Sequence, residues 1–147
     1  MPKYNDGALL ADGKKESPIG KMFIQPHVKL ESGEKVLLDD IIGNDFAIIA
    51  WGVDPQWGIN DANMQIWKNL GVKFIQIIPE VQFGNENRKK FEGVITLGDI
   101  GTDIRTWFGK TSESVVILRP DRFVAALAIP QTLDQVSQQL FKKLHVK

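Results

Sequence analysis

The chain is 147 residues long, 43% hydrophobic and 24% charged, which is the make-up of one ordinary globular domain. Its 18 basic and 18 acidic side chains cancel, so no net charge drives it toward nucleic acid or an anionic membrane. Cysteine is absent, and with it any disulfide framework, thiolate nucleophile, Cys-type zinc site or iron–sulfur cluster.

Residues 1–20 mix Gly, Lys, Asp and Pro without periodicity and read as an arm or linker, punctuated by Tyr4, Leu9, Leu10 and Ile19. They lack the basic and then apolar pattern of a secretory leader. No apolar run approaches the roughly 20 residues of a membrane helix. A soluble, cytoplasmic protein is the expectation. Residues 21–147 are expected to form the domain.

Met22–Gln25 predicts a short strand stopped by Pro26, which has no amide to give a ladder. Val28–Leu30 and Lys35–Leu38 predict a hairpin around Gly33. Asp39–Ile42 makes one helical turn with Gly43 as its cap, and the two aspartates suit a helix start better than a metal. The run Phe46–Trp51 is continuously apolar, as a central strand covered on both faces should be. Gly52–Gly58 is a loop. Asn60 then caps a helix with Ile59, Ala62, Ile66, Trp67 and Leu70 at helical spacing, ended by Gly71.

Val72–Ile78 predicts a second covered strand, stopped by Pro79. Glu80–Gly93 reads as an exposed polar excursion, and its Arg88-Lys89-Lys90 run, like Lys14-Lys15, as solvated loop charge. Thr102 and Asp103 start a short helix through Ile104, Trp107 and Phe108, closed by Gly109. Val115–Leu118 and Phe123–Leu127 are strands joined tightly at Arg119-Pro120-Asp121-Arg122, hence antiparallel. A T-x-x-Q capping box at Thr132–Gln135 opens a last helix with the stripe Leu133, Val136, Leu140, Leu144.

From Phe46 onward the expected order is strand, helix, strand, helix, strand, tight turn, strand, helix. That order implies an α/β fold: a thioredoxin-like mixed sheet with helices on both faces and an N-terminal β-hairpin extension. In that fold the reactive site is the loop between the first core strand and its helix. Here it is Gly52-Val53-Asp54-Pro55-Gln56-Trp57-Gly58, with Pro55 and Gly58 near the places of two redox cysteines. Neither has a nucleophilic side chain.

Asp54, without a His, Ser or Lys beside it in sequence, reads as an Asp–Pro turn rather than a base. Trp57 is expected to pack on its own domain or on a partner rather than to stack on a ligand. Gly109-Lys110-Thr111 is not a phosphate loop, since position 104 is Ile and the triplet follows a helix. His27 and His145 stand far apart and make no metal site. G-x-G-x-x-G, G-x-S-x-G and H-E-x-x-H are absent, so the chain carries no catalytic, cofactor-binding or metal residues that these motifs would mark.

Five strings carry a family resemblance: P-K-Y-N-D-G at 2–7, S-P-I-G-K-M-F-I-Q-P at 17–26, L-L-D-D-I-I-G-N-D-F-A at 37–47, W-G-V-D-P-Q-W-G at 51–58 and V-I-L-R-P-D-R-F-V-A-A at 116–126. Together they resemble the C-terminal region of phenol hydroxylase-like, flavin-dependent aromatic hydroxylases, those of the 3-(3-hydroxyphenyl)propionate group nearest. Ile24 stands where proline is expected in that family. The resemblance implies a redox-inactive thioredoxin-like domain that serves architecture and oligomerisation, with residues 1–20 as the connector to a flavin-binding body. It implies FAD and NAD(P)H for the parent enzyme, held by that body and not by this chain. Two other readings stand beside it. One is a free-standing module that binds a small aromatic or a peptide through the 52–58 loop; the other is a cysteine-free peroxidase, which has nothing in place of the thiolate.

Overall fold

The computed structural model describes residues 17–144. Tyr4, Leu9, Leu10, Lys14, Lys15 and His145, and most of the expected arm, lie outside the described residues. What is described is one seven-stranded mixed sheet in the order β2-β1-β5-β4-β3-β6-β7. In chain order, β1 is His27–Lys29, β2 Lys35–Leu37, β3 Ala47–Trp51, β4 Lys73–Pro79, β5 Val94–Asp99, β6 Val115–Leu118 and β7 Val124–Ala128. The helices are α1 (Leu38–Ile42), α2 (Asp61–Asn69), α3 (Asp103–Gly109) and α4 (Leu133–Lys143).

The three central strands are parallel: Ile49 of β3 lies opposite Ile75 of β4, which lies opposite Ile95 of β5. β6 and β7 extend one side antiparallel, and the β1–β2 hairpin extends the other. Alternation along β3 shows why its apolar run is continuous. Ile48 and Ala50 face a cluster with Trp67 of α2 and Leu133, Leu140 and Phe141 of α4. Ala47 and Ile49 face the opposite cluster, with Leu38 and Ile42 of α1 and Ile104 and Phe108 of α3. Each helix pair thus covers one face, as the sequence leads one to expect.

Five expectations about the elements need correction. A strand, β5, occupies the middle of the sheet at Val94–Asp99, where the sequence order has none. Gly93 closes the polar excursion just before it, and Thr96, Gly98 and Asp99 dilute its apolar signal. Its polar members have inner partners, however: the Thr96 hydroxyl donates to Gln76 Oε1 of β4 at 3.1 Å. The excursion is therefore the crossover that joins two parallel strands, with a 3₁₀ turn at Glu80–Gly84 instead of an α-helix.

The expected strand at Met22–Gln25 is only one bridge, Met22 to Phe123, and β1 begins directly after Pro26. On α2, Ala62 is exposed and Asn63 is buried in its place, since the Asn63 amide has a carboxylate partner on α4. The T-x-x-Q box does not close as a side-chain cap. Thr132 Oγ1 instead accepts from Ile129 N at 3.2 Å and donates to Ile129 O at 3.3 Å, within the turn that precedes α4. Thr102 likewise makes no side-chain cap bond to α3.

Candidate functional site

The 52–58 loop sits at the C-terminal end of β3 and runs into the N-terminus of α2. Its backbone is fixed at both ends. Gly52 N donates to Ile77 O at 2.8 Å and Trp51 N to Ser114 O at 2.9 Å, which tie the exit of β3 to its neighbours. Gln76, buried in β4, reaches toward the same turn with Nε2 at 3.4 Å from Gly52 O. Inside the loop, Asp54 Oδ1 accepts from Gln56 N at 2.9 Å and Asp54 O from Trp57 N at 3.2 Å. Asp54 is thus the hinge of an Asp–Pro turn, as the sequence suggests. Pro55 is buried beneath it. Gly58 has φ 80°, and a Cβ there would stand 3.1 Å from Pro130 O, so glycine lets the loop lie against the turn before α4.

Beyond the loop, the end of α2 is already occupied. Asn60 Oδ1 accepts from Asn63 N at 2.8 Å, the predicted cap. Asp134 of α4 then accepts from Asn60 N at 2.8 Å, Asn60 Nδ2 at 3.2 Å and Asn63 Nδ2 at 2.9 Å. In a thioredoxin site this helix end lowers a thiol's pKa. Here its positive end faces a carboxylate from the chain itself.

That arrangement also bears on the flavin cofactor. A dinucleotide pyrophosphate needs free amides and an uncompensated positive end at the first helix after a strand. Asn60 and Asp134 take both, and an acidic side chain would repel a phosphate. At this helix end the residues present do not fit a dinucleotide pyrophosphate. Among the described residues no group of three or more His, Cys, Asp or Glu side chains converges on a metal position, and no helix is long and apolar enough to cross a membrane.

Of the two packings expected for Trp57, on its own domain or on a partner, its own domain supplies only part: it is 54% exposed. It borders a depression of about 360 Å³ with Val53, Asp54, Lys89, Phe91, Pro130 and Gln131. Phe91 and Lys89 come from the crossover, with the Lys89 ammonium 5.5 Å from the centre of the Phe91 ring. Sequence reasoning found Trp57 but not Phe91 or Lys89, because only the path of the crossover brings position 91 beside position 57. The neighbouring Gly93 passes so close that a Cβ would lie 3.2 Å from Gln56 Nε2.

Arg88 corrects the reading of its run as solvated charge. Its side chain is 8% exposed, bonded through Nη2 to Glu31 Oε1 at 2.9 Å, with its guanidinium 5.3 Å from the Phe83 ring centre. The aromatic ring and the hairpin acid together keep a cation out of water. Lys110 and Thr111 have the structural role expected of a triplet that follows a helix. Thr111 Oγ1 donates to Phe108 O at 3.2 Å and to Glu113 O at 2.8 Å. His27 lies exposed on β1.

Asp99 was not singled out by sequence. It is 5% exposed at the end of β5, where Arg105 N donates to its Oδ2 at 3.3 Å. Burial pushes its carboxyl above the ordinary carboxylate range, and the nearby Asp103 carboxylate adds to this. Amides of Arg105 and Ile104 and the Arg105 guanidinium pull the other way. The arrangement orders the start of α3.

Comparison with known proteins agrees with this geometry. The model of the HcaD C-terminal domain family matches residues 20–143. A 3-(3-hydroxy-phenyl)propionate/3-hydroxycinnamic acid hydroxylase of Klebsiella pneumoniae subsp. pneumoniae is 52% identical over 145 residues, which cover 98% of this chain and 26% of that protein. The protein of the same name from Escherichia coli K12 is 50% identical over 141 residues, 95% of this chain and 25% of that one. The chain therefore spans about a quarter of the length of these relatives.

Among solved structures, the flavin-dependent monooxygenase PieE, in complex with FAD and substrate, superposes with TM-score 0.62 at 18% identity, over 99% of this chain and 25% of PieE. A thioredoxin-like protein from Bacteroides caccae superposes with TM-score 0.61 at 15% identity, over 84% of this chain and 49% of that one. These two likenesses establish the fold.

Proposed function

The chain belongs to the HcaD C-terminal domain family, and on that premise we propose that it serves as the redox-inactive, architectural C-terminal domain of an FAD- and NAD(P)H-dependent aromatic monooxygenase of the 3-(3-hydroxyphenyl)propionate type. One observation carries the reading: the loop that would hold reactive cysteines has Pro55 and Gly58, and the helix end behind it is taken by Asn60 and Asp134. Flavin and nicotinamide chemistry then belong to the part of the longer relatives that this chain does not match. Within a cytoplasmic enzyme of that kind the domain packs on the flavin-binding body and supports a homo-oligomer.

The test has two arms. The 147-residue chain, incubated with FAD, NADPH and 3-(3-hydroxyphenyl)propionate, is expected to retain no flavin absorbance after desalting and to oxidise no NADPH. Removal of the matching C-terminal stretch from the Klebsiella hydroxylase is expected to lower its melting temperature and reduce its oligomeric size, with the FAD-binding motif left in place. Flavin binding or turnover by the chain alone would overturn the inactive half. An unchanged melt and size after removal would overturn the architectural half.

A second reading has its own observation. The exposed Trp57, flanked by Phe91 and Lys89, suits a small aromatic anion held by a free-standing binding module. Micromolar quenching of tryptophan fluorescence by 3-(3-hydroxyphenyl)propionate, lost in Trp57→Phe, would favour it. No response across a panel of phenolic acids would remove it.

A further inference from the structure

We propose that the Trp57 face, made of Trp57, Phe91, Val53 and Pro130 with Lys89 at its margin, is the surface on which the flavin-binding part of the same longer polypeptide seats; this rests on the architectural reading above. Four exposed large hydrophobic side chains stand out among the described residues: Met22, Leu37, Trp57 and Val81. Trp57 is the only aromatic one, and tryptophan is the residue most often found as an interface anchor. Its neighbours supply what an anchor needs, an apolar surround contributed by three separate chain segments at 53–57, 91 and 130.

The surface is also prepared in advance. Asp54 pins the turn through two backbone amides, Pro55 is buried, Gly58 lies on Pro130 O, and Asp134 locks the following helix to α4. A partner therefore loses little loop entropy in meeting Trp57, which is how a modest area yields firm docking.

The occupant follows from the relatives. About three-quarters of the length of the Klebsiella hydroxylase lies outside the stretch this chain matches, and the same fold makes up a quarter of PieE. A domain that forms a quarter of a chain meets the remaining bulk of that chain at high effective concentration. An intramolecular partner therefore outcompetes a second copy or a free ligand for one apolar face.

Hydrogen exchange tests this on two proteins: the 147-residue chain alone, and the Klebsiella hydroxylase with its 145-residue matching stretch replaced by this chain. In the FAD-loaded chimera the amides of 53–57 and 89–93 should exchange at least about tenfold more slowly than in the isolated chain, while those of 31–37 stay unchanged. Trp57→Ala should abolish that slowing without altering the melt of the isolated chain.

Protection confined to other segments, such as those around Met22 or Val81, would overturn the inference and leave the architectural reading standing. No added protection anywhere in an FAD-loaded chimera would overturn both. Protection of 53–57 in the isolated chain that grows with its concentration, or appears on adding 3-(3-hydroxyphenyl)propionate, would assign the face to a second copy or a small molecule instead. If the chimera does not retain FAD, the intact Klebsiella hydroxylase serves. Its segments matching 53–57 and 89–93 must then exchange more slowly in the full enzyme than in its own C-terminal stretch.

Discussion

Replacing Asp134 by alanine removes three hydrogen bonds at once, from Asn60 N, Asn60 Nδ2 and Asn63 Nδ2. One of the stranded donors, the amide of Asn63, belongs to a buried residue. The expected cost is about 1–2 kcal/mol, because the Asn60 cap itself survives; urea denaturation of the variant checks it. Asp99 gives a pH prediction. Folding raises its pKa, so between the ordinary and the raised values the folded chain binds more protons than the unfolded one. Stability from this group is therefore lost as pH rises through that window and regained on acidification. Asp99→Asn should flatten that slope while its side-chain oxygen still accepts from Arg105 N. An unaltered slope in denaturation curves taken from acid to neutral pH would mean the titration belongs elsewhere.

At the scale of elements, the packing of the crossover on β5 is the most exacting contact. A Cβ on Gly98 would come 2.8 Å from Phe83 Cε2 and 3.1 Å from Glu80 Cα. Gly98→Ala should cost about 1–3 kcal/mol. Phe83→Ala in the same chain should recover part of that, since the ring yields and the Glu80 backbone does not. The link between α2 and α4 is similarly specific: buried Trp67 donates from Nε1 to Ser137 Oγ at 2.8 Å, and Ser137 Oγ in turn donates to Leu133 O at 2.8 Å. Trp67→Phe should destabilise by about 1–3 kcal/mol, read as a shift of the thermal midpoint.

The long apolar runs of β3 and β4, the Asn60 cap of α2 and the apolar stripe of α4 are legible in the sequence, because burial on both faces or helical spacing shapes most of their positions. β5 was not, because Thr96 and Asp99 take partners that only the fold brings near. Trp57 is legible as part of a loop, but the depression it borders is lined also by Phe91 and Pro130, far off in sequence. Arg88 was misread for the same reason: its acid and its ring, Glu31 and Phe83, lie on a different hairpin and a different turn.

For the molecule as a whole, the sheet order and the two covered faces reproduce a redox scaffold, while the chain has no cysteine to work on it. The absent thiol is matched by an electrostatic change, with Asp134 opposing the helix end that would have favoured an anion. Members of its family include relatives about four times its length, of which this chain matches about a quarter. The central claim is that this scaffold is chemically silent. The most direct measurement is a turnover assay of the 147-residue chain with NADPH, FAD and 3-(3-hydroxyphenyl)propionate in air, run beside a disulfide-reduction assay. The account predicts rates equal to the buffer blank in both. Turnover above the blank that disappears in Asp54→Asn or Trp57→Ala would contradict it.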